Sequence, residues 1–82
     1  MNAMPAQPAD VFRKNLDRVR HERGLTMEQL ADICDTKRPN ISRILSGNEG
    51  VSLERAGRIA KALGLDICDL LAEPKRILEK IA

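Results

Sequence analysis

The sequence predicts an all-α fold: five short helices packed into one compact domain, with a short C-terminal helical tail. Three observations carry that prediction. Apolar residues recur at spacings of three and four along most of the 82-residue chain, which is the period of a helix face. Capping residues and glycines interrupt that period repeatedly, marking starts and stops. No stretch alternates apolar and polar residues in the manner of a half-buried strand. The length allows a single hydrophobic core, because chains divide into separate cores only well above ~150 residues. Leu, Ile, Val and Phe make up about a quarter of the chain, above the roughly 20% below which chains stay disordered.

Residues 1 to 9, with two prolines and three alanines, read as a disordered leader ahead of a domain over residues 10 to 72. From Asp10 to Arg23, Phe12, Leu16 and Val19 form one helical stripe, and Gly24 stops it. Thr26-Met27-Glu28-Gln29 is a capping box: the Thr26 hydroxyl accepts from the Gln29 N–H while the Gln29 side chain returns to the Thr26 N–H. Leu25 and Leu30 stand where a hydrophobic staple joins it. The second helix is therefore expected from Met27 to Cys34, burying Leu30, Ala31 and Cys34. Asp35-Thr36-Lys37 precedes a third helix starting at Arg38 or Pro39, since proline fits a first turn where its missing N–H costs nothing. Ile41, Ile44 and Leu45 are its apolar set, and it ends at Ser46-Gly47. After the loop 46 to 50, Ser52 caps a fourth helix with the inward stripe Leu53, Ala56, Ile59, Ala60 and Leu63, closed by Gly64. Asp66 caps a fifth, with Leu65 and Leu70 as its staple, through about Ala72. Residues 73 to 82 form a tail or sixth helix carrying Ile77, Leu78 and Ile81.

Composition removes several classes of function. Phe12 is the only aromatic residue, so no row of rings exists on which single-stranded bases could stack. No apolar run approaches the ~20 residues of a membrane helix, and the N-terminus lacks a signal-peptide pattern, so a soluble cytoplasmic protein is expected. Cys34, Cys68 and the lone His21 give neither a disulfide framework nor a zinc site, and both cysteines read as small buried apolar residues. No nucleophile stands beside a base, no carboxylates pair, and no glycine loop cradles phosphate, so an enzyme is not expected and no cofactor or small-molecule substrate is implied. The net charge of +2 hides a segregation. Arg13, Lys14, Arg18, Arg20 and Arg23 face only Asp17 and Glu22. Glu28, Asp32 and Asp35 then stand with no base among them, and Lys37, Arg38, Arg43, Arg55, Arg58 and Lys61 restore the positive sign against Glu49 and Glu54. Such alternation makes either mutually neutralising faces or a basic face for a polyanion.

Two helices as short as the second and third, joined by about four residues, hold together only across a shared core at a steep angle, which describes a helix-turn-helix. Leu25-Thr26-Met27-Glu28-Gln29-Leu30-Ala31, followed by Ile41-Ser42-Arg43-Ile44 and Gly47, resembles the Cro and phage-repressor type of helix-turn-helix, the XRE family. Ser52-Leu53-Glu54-Arg55, Ile59-Ala60-Lys61-Ala62-Leu63-Gly64-Leu65 and Asp69-Leu70-Leu71 continue the resemblance over about residues 11 to 72. It implies a lambda-repressor-like fold. Three positions depart from the family pattern: Asp35 stands at the usual turn glycine, Met27 where many members place a phosphate-contacting Gln, and Lys37 where Ser or Thr is common. Thr36 is the expected substitute cap.

The resemblance implies that the third helix enters the major groove of double-stranded DNA, where each base pair shows a distinct donor and acceptor pattern. Arg38, Pro39, Asn40, Ser42 and Arg43 are the expected base-contacting residues, with most weight on the two arginines. Thr26, Lys37, Ser46 and Asn48 are expected at phosphates, and Arg13, Lys14, Arg20 and Arg23 add longer-range attraction. One small module contacts few base pairs, so a homodimer on a palindromic operator is expected, joined through Ile67, Leu71, Ile77, Leu78 and Ile81. Such a protein acts as a transcriptional regulator, a repressor first. The alternative is an antitoxin that binds DNA with the same fold while its tail masks a toxin.

Overall fold

The structure is a computed structural model that describes residues 7–81. Six helices follow one another: α1 (Pro8–Glu22), α2 (Met27–Ile33), α3 (Arg38–Ser46), α4 (Leu53–Ala62), α5 (Ile67–Leu70) and α6 (Pro74–Ile81). Among the described residues there is no strand. The first six residues of the expected leader lie outside the described part. Pro8 and Ala9 do not belong to a leader at all, because α1 begins at Pro8. Proline's fixed φ suits a first helical turn, and the Gln7 carbonyl already accepts from Asp10 and Val11 at 2.9 and 3.1 Å.

The capping box of α2 forms in both directions, Gln29 N–H to Thr26 Oγ1 at 3.0 Å and Thr26 N–H to Gln29 Oε1 at 2.8 Å. The helix ends at Ile33, one residue early. Its end is a Schellman turn, in which Thr36 N–H reaches the Ala31 carbonyl at 2.9 Å and Asp35 N–H that of Asp32 at 3.1 Å. That turn requires a left-handed residue, and Asp35 takes the role with φ 55°. Thr36 does not cap α3 as expected. Lys37 occupies the cap position without a side-chain bond, and the Thr36 hydroxyl instead accepts from Asn40 Nδ2 at 2.9 Å.

Phe12, Leu16 and Val19 of α1 meet Leu30 and Ala31 of α2, Ile41 and Ile44 of α3, and Ala56, Ile59 and Ala60 of α4 in one core closed by Leu63, Leu65 and Leu70. Burying each large side chain contributes ~1.5–3 kcal/mol. Three expectations fail at its edges. Leu53 is 75% exposed rather than inward, because the first turn of α4 overhangs the core that the later turns cover. Cys34 is half-buried at the edge of the core, and Cys68 is exposed, since the single turn of α5 turns Asp69 and Leu70 inward instead. Ile77 is 0% exposed: α6 packs against α1 and α5 and places it in the monomer's own core, so it is no interface residue.

A buried polar link joins the ends of the chain. Asn15 is 0% exposed, and its Nδ2 donates to the Leu70 and Ala72 carbonyls at 2.8 and 2.7 Å. These carbonyls lie at and beyond the end of α5, so one amide supplies the donors that a longer helix would have supplied. Pro74 biases Glu73 away from helical angles, which is why α5 stops at Leu70 rather than near Ala72.

Candidate nucleic-acid interface

Helix α3 is divided by its own periodicity. Ile41 and Ile44 are wholly buried, which fixes the helix on the core and turns Arg38, Pro39 and Arg43 to solvent. Asn40 and Ser42, both expected to face outward, are half-buried on the flanks. No side chain caps α3 and no acidic residue sits in its first turn; the Lys37 carbonyl accepts from Asn40 N–H at 3.0 Å and Pro39 has no N–H, so what no side chain answers is the Arg38 N–H and the positive dipole end. Lys37 and Arg38, both exposed, add like charge at that end. Among the described residues neither has an ion-pair partner.

Arg43 differs. Its Nε lies 3.3 Å from Glu49 Oε1, and its Nη2 donates to Asn40 Oδ1. Glu49 Oε2 is in turn 3.3 Å from Arg55 Nη1, so one carboxylate holds two guanidinium groups, one on α3 and one on α4. Arg43 stays 49% exposed in its side chain. The expectation that Arg43 stands free is thereby corrected: the loop returns a counter-charge to it. Asn40 likewise is engaged at both ends, with Thr36 and Arg43.

The four residues expected at phosphates lie at the edges of this face. Thr26 and Lys37 are exposed at the starts of α2 and α3, and Ser46 and Asn48 are exposed beside the end of α3. Thr26 Oγ1 accepts within its capping box and keeps its own proton for another acceptor. The Ser46 hydroxyl donates to the Arg43 carbonyl at 3.0 Å, so its proton already has a partner. Glu28, Asp32 and Asp35 are exposed on and just beyond α2, which sets an acidic border beside the basic start of α3.

The basic residues of α1 have mostly structural partners. Arg13 pairs with Asp10 and lies against Gly47, where an added Cβ would come within 3.3 Å of its Cζ; at φ 83° that position suits glycine twice over. Arg20 Nη1 donates to the Leu25 carbonyl at 3.2 Å, and Arg23 Nη1 to the Leu63 carbonyl at 2.8 Å. Lys14 and Arg23 are the exposed bases of that expected set with no ion-pair partner among the described residues, and of the two only Arg23 is tied to a carbonyl.

The expected interface residues do not form one surface. Half-buried Ile67 and exposed Leu71 line an apolar groove of about 280 Å3 with Pro8, Phe12, Val51 and the exposed Leu53. Leu78 lies elsewhere, beside Asp17, Arg18, His21 and Glu22, and Ile81 packs on the core. A larger cleft, about 550 Å3, opens between the α2–α3 turn and α4, lined by Cys34, Asp35, Thr36, Arg55 and Arg58. Burial pushes the Cys34 thiol above its ordinary range, and the nearby Arg55 charge opposes that in part. Among the described residues no three His, Cys, Asp or Glu side chains gather as metal ligands.

A helix-turn-helix family model matches residues 16–70, which takes in the capping box, the Asp35 turn and the whole of α3. The chain belongs to the Cro and phage-repressor type of helix-turn-helix family. Solved structures agree with the family's fold. A hypothetical transcription factor from Neisseria superposes with TM-score 0.77 at 24% identity, covering 98% of this chain and 94% of its own. The clp gene regulator ClgR of Corynebacterium glutamicum gives 0.72 at 22% identity over 95% and 97%. The restriction-modification controller protein C.Esp1396I gives 0.71 at 23% identity over 90% and 96%. A search of curated proteins finds no significant match. Within the family's pattern, Asp35 replaces the turn glycine without moving the turn, since the left-handed angle falls on Asp35 itself.

Proposed function

We propose that this chain is a DNA-binding transcriptional regulator that seats α3 in the major groove of a palindromic operator as a homodimer, and that it represses by occupying that site. The carrying observation is the open, basic N-terminus of α3: no side chain caps it, Lys37, Arg38 and Pro39 project from it, and Ile41 and Ile44 lock the opposite face in the core. A cation at the positive end of a helix dipole disfavours folding by ~0.3–1 kcal/mol, so the arrangement suits an external polyanion better than the free protein. Arg38 and Arg43 are the readers of guanine edges, Pro39 meets a thymine methyl, and Thr26, Lys37 and Asn48 hold phosphates. The neighbouring structures, those of a transcription factor, a gene regulator and a controller protein, support the regulatory class. The reading is of a binding protein rather than an enzyme. No described helix is long and apolar enough to cross a membrane, and the compartment that goes with this function is the cytoplasm, where the DNA is. The second copy docks through the groove bordered by Leu53, Ile67 and Leu71.

Selection of duplexes from a random library by the purified protein tests the whole reading, with a symmetric consensus as the expected result. On that consensus, Arg38→Ala should weaken binding by ~1–3 kcal/mol per half-site while leaving binding to unrelated duplexes nearly unchanged. An equal loss on both duplexes defeats the assignment of Arg38 as a reader. An asymmetric consensus defeats the dimer.

A further inference from the structure

Glu49 is the one acidic residue on the edge of the basic face that touches a proposed base-reading side chain. It lies just beyond α3 in the loop to α4, and its own backbone N–H donates to the Arg43 carbonyl at 3.3 Å. That bond brings its carboxylate alongside Arg43, so the contact is built by the backbone rather than by a chance meeting of long side chains. Its two oxygens divide between Arg43 Nε and Arg55 Nη1, each at 3.3 Å. Glu49 and Arg55 are both about a third exposed in their side chains, at 36% and 31%, and Arg43 is the most open of the three at 49%. Arg43 is therefore the partner freest to leave. Arg55, on the body of α4, keeps the carboxylate in place when it does.

We propose that Glu49 is a specificity-determining residue, an internal stand-in for phosphate that holds Arg43 in the free protein and on unrelated DNA and yields it only to a matching base pair. On a matching site Arg43 gives up its ion pair with Glu49 and its bond to Asn40 Oδ1 for a two-point bond to guanine O6 and N7, and the exchange is favourable. On any other sequence the guanidinium meets only backbone phosphate, an anionic partner of the kind Glu49 already supplies, so little is gained by leaving. The vacated carboxylate also faces the approaching backbone, and that repulsion is offset only where the base contact forms. Glu49 thus lowers affinity for DNA in general by more than it lowers affinity for the operator.

This rests on the DNA-binding reading, and Glu49→Gln separates the two. The substitution keeps the side-chain shape and removes the charge. Binding is followed by fluorescence anisotropy over a salt series, on a labelled duplex of mixed sequence and on the duplex enriched from the random library. The mixed duplex should bind more tightly, by up to about fivefold for each arginine released. Its salt dependence should steepen by about one to two per protomer as those arginines find phosphates. The enriched duplex should gain less, so the ratio of the two affinities falls, and in an Arg43→Ala background Glu49→Gln should no longer change that ratio. Unchanged binding of the mixed duplex, or equal gains on both, overturns the proposal and leaves DNA binding intact. Failure of the unsubstituted protein to bind either duplex overturns the functional reading itself. Should Glu49→Gln prove too unstable to assay, the Arg43 Nε–H resonance of the unsubstituted protein serves. It should shift when the enriched duplex is added and hold its position with the mixed duplex, and equal shifts with both overturn the proposal.

Discussion

Helices α2 and α3 face each other across one turn and finish their N-termini in opposite ways. Thr26 and Gln29 close the start of α2 with two reciprocal bonds, and Glu28 in its first turn answers the helix dipole. At the start of α3 no side chain closes the backbone and nothing acidic answers the dipole; Lys37 and Arg38 stand there instead. A cap contributes ~1 kcal/mol and a well-placed charge ~0.3–1 kcal/mol, so α3 forgoes what α2 takes. Departures from local consistency collect at working sites. The difference teaches that α2 is the brace of this motif and α3 the part kept open for something outside the chain.

The largest expected effect probes the buried side of that division. Ile44 is wholly enclosed, and Ile44→Ala should cost ~2–5 kcal/mol of stability, read as a lower urea midpoint. The DNA affinity of the folded fraction should stay close to that of the unsubstituted protein. Arg38→Ala, on the open side of the same helix, should move stability by less than about 0.5 kcal/mol. If Ile44→Ala shifts the midpoint no further than Arg38→Ala does, α3 is not anchored as described.

The next effect comes from making the two N-termini alike. Lys37→Ser gives α3 the cap it lacks and removes a cation from its positive end, so stability should rise by about 1 kcal/mol. DNA binding should weaken on all sequences, with the salt slope lowered by about one per protomer. Thr26→Ala, which opens α2, should lower stability by about 1 kcal/mol instead. Opposite signs of the two melting shifts uphold the comparison. A destabilising Lys37→Ser would mean that α3's N-terminus is satisfied by something other than an external anion.

Much of this arrangement is legible in the sequence because the signals are local. The Thr26–Gln29 box, Pro39 in a first turn and the buried pair Ile41 and Ile44 each follow from residues within four positions of one another. The misses are non-local. Arg43, Glu49 and Arg55 are spaced by six and join only because a loop folds back, and no helical or strand period links them. Asn15 reads as one more polar residue on an exposed face, yet it spans to Leu70 and Ala72. Ile77 looks surplus when the core is counted helix by helix, and it is buried only because α6 returns to α1. Leu53 fits the spacing of the α4 stripe and still lies outside, since periodicity gives direction around a helix and not how far along it the core extends. The structural use of Arg23 is hidden for the same reason, as its acceptor is the Leu63 carbonyl just beyond α4.

The smallest effect is expected at the joint between the two helices. Asp35 holds φ 55°, a conformation that costs ~1–2 kcal/mol for a residue with a Cβ, with aspartate at the lower end. Glycine would remove that strain, but its unfolded chain has more freedom to lose, and this costs ~0.5–1 kcal/mol. The two nearly cancel, so Asp35→Gly should stabilise the fold by less than about 1 kcal/mol, a rise in Tm of a few degrees for a domain of this size. Removing an exposed carboxylate two residues ahead of Lys37 should also tighten binding to any duplex slightly, the reverse of Lys37→Ser. A fall in Tm would mean that the Asp35 side chain contributes a bond that offsets its backbone strain, and that the turn is held by aspartate rather than tolerating it.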